Sequence, residues 1–258
     1  RGAQHQHGST INASEGHVHG VDIEQRALLR PGDMLEFVPG MVVTQHSGSG
    51  KANQYFLRGF NLDHGTDFAT SVDGMPVNMR SHGHGQGYSD LNFLIPELVE
   101  HIRYRKGNYQ AQDGDFANAG AADFELKNQS PELLQLSLGQ HQYQRLLVSG
   151  STSYDSADWL NALELQGYAG PWQGVDEQVK KVNLVSRYSR QQQDSAQQLT
   201  FMLYDNSWNA ADQIPQRAID QGLIDRLGVI DPSSGGNSSR QSISGNWQQQ
   251  NFKASAYW

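Results

Sequence analysis

Cysteine is missing from all 258 residues, so disulfide frameworks, thiolate nucleophiles and cysteine-ligated zinc sites are excluded. Long apolar runs are missing too. No stretch approaches the ~20 residues of a membrane-spanning helix, which leaves open a β-barrel, whose strands are apolar only at alternate positions. Basic charge is scarce: 19 Lys and Arg stand against 27 Asp and Glu, for a formal net charge of −8. Nucleic acid needs a basic surface, so it is not an expected partner. The densest cationic run, RYRK at 103–106, reads as a strand end. Hydrophobic residues make up only 36%, a thin supply for a conventional apolar core. RGAQHQHGST at the start lacks the charged-then-apolar pattern of a signal peptide. NFKASAYW at the end breaks off within an alternating pattern, so the sequence reads as part of a longer chain.

What is there divides into three textures. Residues 1–29 are polar and carry two H-x-H pairs, His5/His7 and His17/His19, in a stretch expected to be flexible. Such pairs can collect metal or be solvated linker. Residues 30–130 read as a compact α+β unit. RPGDMLEFVPG places Pro31 at a first helical position and stops at Pro39-Gly40. MVVTQ and QYFLRGF are short strands, and DFATSVDGMPV is a strand with a turn at Asp73-Gly74. SDLNFLIPELVEHIRYRKG begins at a capping Ser89 or Asp90, turns helical around Pro96, then extends as a strand. AGAADFELKN closes the unit.

Residues 131–258 alternate with period two. LLQLSLGQ sets Leu134, Leu136 and Leu138 on one face and Gln135 and Ser137 on the other. DWLNALELQGYAG, KVNLVSRYSR, QLTFMLYDNSW, RQSISGNWQQQ and FKASAYW repeat the pattern. Aromatic residues (Trp159, Tyr168, Trp172, Tyr188, Trp208, Trp258) fall near strand ends. PWQGVDEQV and the stretch from Trp208 to Ser239 are expected as long connections, and RQQQDSAQQ as a short one. The pattern alone fits a soluble β-sandwich as well as a membrane barrel.

The first half resembles the plug domain of TonB-dependent outer-membrane receptors. RPGDMLEFVPGMVV is similar to the family's opening helix and VPGV strand, QYFLRGF to its RG strand, and TSVDGMPVN to its DG-x-P-x-N hairpin. DLNFLIPELVEHIRYRKG is similar to its IP helix-to-strand passage. Five such segments stand in the family's order between about residues 30 and 128. DGDFANAGAADFEL departs from the common YGSGAIGGVINI-like closing segment, and no TonB box is recognisable in residues 1–29. The resemblance implies an α+β plug followed by the first antiparallel strands of a transmembrane β-barrel, incomplete in this chain. With alternating runs each about the ~9–11 residues of one crossing, and polar connections between them, residues 131–258 are expected to supply five or six strands. It further implies uptake of a scarce nutrient, such as a ferric siderophore, haem or another metal chelate, in the cell outer membrane. The implied partners are TonB, the small-molecule ligand and outer-membrane lipid; no catalysis and no resident cofactor are expected. A receptor of the same architecture acting in surface signalling, or a His-rich metal-binding protein, is the alternative.

In the family topology, QHSGSGKANQ (45–54) and NMRSHGHGQGYSD (78–90) point outward and NLDHGTD points to the periplasm. The candidate ligand contacts are His46, Lys51 and Asn53 from the first loop, and Arg80, His82, His84, Gln86 and Tyr88 from the second. Cationic and amide groups suit an anionic, oxygen-rich chelate, whereas the imidazoles of His82 and His84 could ligate a transition metal directly. A Gly-rich loop with solvated histidines is the plainer reading. Arg58, Gly59, Asp73 and Gly74 are expected to hold the plug together, with Arg58 paired to a carboxylate. Glu97, Glu100 and His101 read as solvated or barrel-facing charges. SGSGKAN lacks P-loop spacing, and DGDFANAG has Ala117 where a calcium loop needs a ligand.

Overall fold

The computed structural model describes residues 9–45 and 48–258, and builds them as a small mixed unit seated against a larger antiparallel sheet. The first unit comprises β1 (Ser9–Asn12), β2 (Glu15–His19), a helix at Gly20–Glu24 and a 3-10 segment at Pro31–Phe37. β3 (Met41–Thr44), β4 (Gln54–Leu57) and β5 (Phe60–Asn61) follow, forming a three-stranded sheet. Then come β6 (Phe68–Val72), β7 (Met75–Pro76), β8 (Val99–Lys106) and β9 (Gly120–Leu126). These join the first two strands in the order β1-β2-β8-β9-β6-β7, with β6 and β9 parallel. Alternation aims Phe68, Val72, Ile102 and Phe124 into a core closed by Leu35, Leu94 and Leu98. Each such side chain contributes roughly 1.5–3 kcal/mol by leaving water.

Residues 9–24 are thus two strands of the sheet and a helix, not the flexible stretch expected for 1–29. Val18 is fully buried opposite Ile102, and Gly20 lies so close to the Val99 carbonyl that a Cβ would stand 2.5 Å from it. One valine and two well-placed glycines (Gly16 and Gly20) make too short a pattern to read as a strand.

The second sheet is an up-and-down meander. It runs β10 (Leu133–Leu138), β11 (Gln144–Tyr154), β12 (Ala157–Tyr168), β13 (Val179–Gln192), β14 (Ser195–Asn209), β15 (Gly235–Gln249) and β16 (Phe252–Tyr257). Seven strands replace the five or six expected, because both outer strands have only 6 residues. β14 extends through Asn209 and β15 starts at Gly235, so the long connection is 210–234 and shorter than expected. Tight turns join the strands at one end, such as Asp155-Ser156, whose φ values of +45° and +61° give the right-handed twist of a two-residue hairpin. The longer connections 139–143, 169–178 and 210–234 gather at the other.

The two faces of this sheet settle its type. Along β13, Lys181, Asn183, Arg187 and Ser189 are buried, while Leu184 lies exposed in a cross-strand row with Leu163 and Leu203. Leu134, Leu136 and Leu138 of β10 are 75%, 66% and 74% exposed. A sandwich buries its apolar face; here the inner face carries charged and polar groups among a few apolar ones (Leu147, Leu160, Val185, Met202), and rows of leucine face outward. Towards the loop end the outward row turns polar, at Asp205 and Ser207 of β14 and Ser239 and Gln241 of β15.

The inner face is matched by the first unit. Asp73 takes positive φ (+47°) with Gly74 (+81°), the tight turn read from the sequence. Its carboxylate accepts from Arg187 Nη1 at 2.6 Å, and its carbonyl accepts from Asn246 at 2.9 Å. Arg187 also donates to Asn128 and Thr200. Arg145 binds Glu97 with two bonds of 2.6 and 2.8 Å and Glu164 with one of 2.5 Å, and Lys181 reaches Glu164 at 3.0 Å. Glu97 is therefore sheet-facing, while His101 pairs with Glu125 at 3.1 Å. Replacing Asp73 with Leu strands Arg187, which is 1% exposed at its side chain. The expected loss is about 3–5 kcal/mol of unfolding free energy; Asp73→Leu/Arg187→Leu should recover the part due to the stranded charge, and the strain of leucine at φ +47° remains. Denaturant unfolding of both variants measures this.

Candidate functional site

The loop 78–90 is pinned at its base. Asn78 Oδ1 accepts from Thr70 N–H at 2.7 Å, and its amide nitrogen lies 2.9–3.0 Å from the carbonyls of Gly87, Gly65 and Phe68. Across the neck Met79 N–H donates to Tyr88 O at 2.9 Å and Gly87 N–H donates to Met79 O at 2.7 Å. Gly87, at φ +82°, has no room for a Cβ, which would sit 2.8 Å from Phe116 and 2.9 Å from the Thr66 backbone. Within the loop, His82 stacks on Tyr88 with ring centroids 3.9 Å apart, and its Nδ1 accepts from His84 N–H at 3.1 Å.

The turn 61–67 lies against this loop and not at the opposite end as expected. Ser89 N–H donates to His64 O at 2.8 Å and Thr66 Oγ1 to Gln86 O at 2.8 Å. The expectation failed because β4 and β5 fold back tightly at Arg58-Gly59 (φ +50° and +85°), returning the chain to the side it came from. His64 is buried, and its Nδ1 lies 3.0 Å from the Asn53 carbonyl. A carbonyl only accepts, so Nδ1 carries the proton and Nε2 the lone pair. Burial pushes this imidazole down to about 4. His64 Nε2 stands 3.7 Å from Asp63 Oδ1, His84 Nε2 stands 3.4 Å from Asp63 Oδ2, and the two rings are 4.5 Å apart. Donor atoms of Asp63, His64 and His84 all lie within 4.8 Å of one another.

Beside this cluster a cleft of ≈ 960 Å³ opens between the plug loops and the long-loop end of the sheet. Lys51, His82, Tyr88 and Asp90 line one side, and Tyr204, Trp208 and Arg240 the other. Tyr88 Oη accepts from Ala52 N–H at 3.1 Å, and burial pushes its phenol up to about 12. Glu177 fastens the two sides, accepting from Ser49 N–H at 3.1 Å and Trp172 Nε1 at 2.6 Å. Gly48 and Gly50 press on the Trp208 indole, where any Cβ would collide. Burial raises the Asp90 carboxyl to about 6 against the N–H donated by Asn92 and the hydroxyl of Ser238.

Of the residues singled out in sequence, Lys51, His82 and Tyr88 line the cleft, while His84 turns to the Asp63–His64 turn. Arg80 and Gln86 are exposed on the loop. Asn53 is buried against Gly32, with its carbonyl holding His64, and so is structural. Arg58 is an exposed turn residue with no ion pair among the described residues. His5, His7 and His46 lie outside the described residues; His17 faces His101, 6.3 Å between rings, on the plug sheet. Sequence reasoning missed Asp63, His64, Asp90, Glu177 and Trp208. The H-G-H doublet drew attention to loop 78–90, whereas its partners come from a turn some twenty residues earlier, read only as pointing to the periplasm.

Residues 9–121 match the family model of the TonB-dependent receptor plug domain. Among solved structures, the chain is similar to the ferric enterobactin receptor of Pseudomonas aeruginosa (14% identity, TM-score 0.66, covering 96% of this chain and 41% of the receptor). It is similar also to the copper transporter OprC (16%, 0.69, 97% and 37%) and to the siderophore receptor PirA of Acinetobacter baumannii (17%, 0.65, 95% and 39%). The chain spans 37–41% of the length of these proteins, and at these identities the likeness is one of fold.

Asp90 generates a pH prediction. Its folded value, about 6, lies above the ordinary 3.8, so the unfolded chain gives up this proton first as pH rises. Its favourable contribution is complete below the ordinary value and lost as pH climbs through about 6. Asp90→Asn keeps the acceptor and removes the titration. Relative to wild type it should gain roughly 1–3 kcal/mol between about pH 4 and about pH 8, read from thermal unfolding across that range.

Proposed function

Residues 9–121 belong to the TonB-dependent receptor plug domain family, and from that premise we propose that the chain is the plug and opening barrel strands of an outer-membrane receptor for a metal chelate. The observation that carries this reading is the cleft between loop 78–90 and the long-loop end of the sheet. Its walls combine the Lys51 ammonium, the stacked His82–Tyr88 pair and the Trp208 indole. That set recognises an aromatic or oxygen-rich chelate through charge, hydrogen bonds and ring faces. Neighbours in fold named for ferric enterobactin, for siderophore and for copper support the same substrate class.

The outward rows of leucine and aromatic side chains are the lipid side, and the long connections are the outer-surface end. Ligand seated on loop 78–90 touches the plug, whose N-terminal strands TonB would reach from the opposite side. Transport then consists of moving the plug against its ion pairs with the barrel, with no bond of the ligand made or broken.

Two measurements bear on this. Cells expressing the full-length receptor are expected to accumulate labelled metal from one of a panel of ferric enterobactin, ferric pyoverdine, haem and Cu²⁺. Accumulation should cease without TonB and fall at least about tenfold in Tyr88→Ala; uptake indifferent to TonB refutes the reading. Independently, Leu184→Arg on the outer row should cost about 2–4 kcal/mol when folding is measured in lipid vesicles.

A further inference from the structure

We propose that Asp63, His64 and His84 form a binding site for a divalent transition cation on the plug, with one coordination position open to solvent. The donor set is one carboxylate and two imidazoles, which suits borderline cations such as Zn²⁺ or Cu²⁺. Tetrahedral coordination at ~2.0–2.1 Å separates neighbouring donor atoms by roughly 3.3–3.4 Å. His84 Nε2 stands 3.4 Å from Asp63 Oδ2 and His64 Nε2 stands 3.7 Å from Asp63 Oδ1, and one donor atom from each of the three residues lies within 4.8 Å of the others, so a small contraction of the side chains would close the set on an ion.

The surroundings supply what a metal ligand needs behind it. His64 gives its Nδ1 proton to the Asn53 carbonyl, which fixes the ring and directs Nε2 to the cluster. Asp63 is held at φ +47° by its N–H bond to Asn61 Oδ1 at 3.0 Å and by its carbonyl, which accepts from Tyr55 N–H at 2.8 Å. His84 is positioned through its own N–H on His82. A single negative charge among neutral rings leaves a dication with net positive charge, and the exposed side of His84 leaves room for water or a donor atom of an incoming molecule. His82 is not a ligand here, since its ring is committed to Tyr88 and its Nδ1 to the loop backbone. The site also ties loop 78–90 to turn 61–67, so an ion would lock two segments that otherwise meet through the neck of the loop.

This inference does not depend on the uptake reading. The test is competition titration of the purified full-length protein with Zn²⁺ and a chromophoric chelator, in a background where His5 and His7 are Ala. One Zn²⁺ per chain is expected, with affinity reduced at least about tenfold in His84→Ala and in Asp63→Asn and changed less than about threefold in His17→Ala, which lies on the sheet against His101. Both replaced residues are partly or fully exposed, and circular dichroism checks that each variant is folded. Cu²⁺ should bind more tightly than Zn²⁺, with coupling to two imidazole nitrogens in its electron paramagnetic resonance spectrum, one of them lost in His84→Ala. Absence of stoichiometric binding, equal binding in His84→Ala, or an equal loss in His17→Ala would each overturn the site. TonB-independent accumulation would sink the receptor reading and leave these titrations untouched.

Discussion

A sheet whose charged residues face inward cannot stand alone, and that constraint organises the molecule. Arg145, Glu164, Lys181 and Arg187 are all buried at the inner face or nearly so. An unpaired buried charge costs several kcal/mol, so the sheet demands a partner with complementary carboxylates. The plug supplies them from its least adaptable places. Asp73 sits in a positive-φ turn between β6 and β7, and Glu97 in the 3-10 turn that opens β8. Docking is thus set by backbone geometry and read out by ion pairs, while the apolar core of the plug continues onto Leu147, Leu160, Val185 and Met202 of the sheet.

The same division of labour holds at the loop end. Asn78 bonds four backbone groups on three segments and thereby brings loop 78–90, turn 61–67 and the start of β6 together. Its position directly after β7 lets the rigid sheet place the loop, and the loop then spends its own side chains on the cleft and on Asp63 and His64. Glu177 and the glycines beneath Trp208 do the equivalent for residues 48–53 from the other wall. Neither loop hangs free, for all their glycine content.

Much of this was legible in the residues. The order of the plug segments, the Asp73-Gly74 turn and the alternation of β10–β16 follow from local chemistry: turn residues with positive φ, β-branched and aromatic runs, period two. The resemblance in five ordered segments chose barrel over sandwich, and the exposed leucines of β10 agree. What escaped depends on contacts between distant segments. β2 pairs with β8 across more than eighty residues on the strength of Val18. Strand count failed because lengths range from 6 to 15 residues, far from any uniform crossing. His84 was visible, yet its companions Asp63 and His64 were hidden by a turn whose direction only the return of β5 decides.

The strands of the large sheet also outgrow their greasy belt. On β14 the outward row is apolar from Leu199 to Leu203 and polar at Asp205 and Ser207, and β15 matches it with Ser239 and Gln241. Five further residues at ~3.3 Å each raise a hydrophilic parapet some 17 Å along the strand beyond the belt. The cleft hangs from that parapet at Tyr204 and Trp208. Its mouth therefore lies beyond the apolar rows, among polar strand ends, and whatever enters it meets hydrogen-bonding groups before any leucine of the outer face.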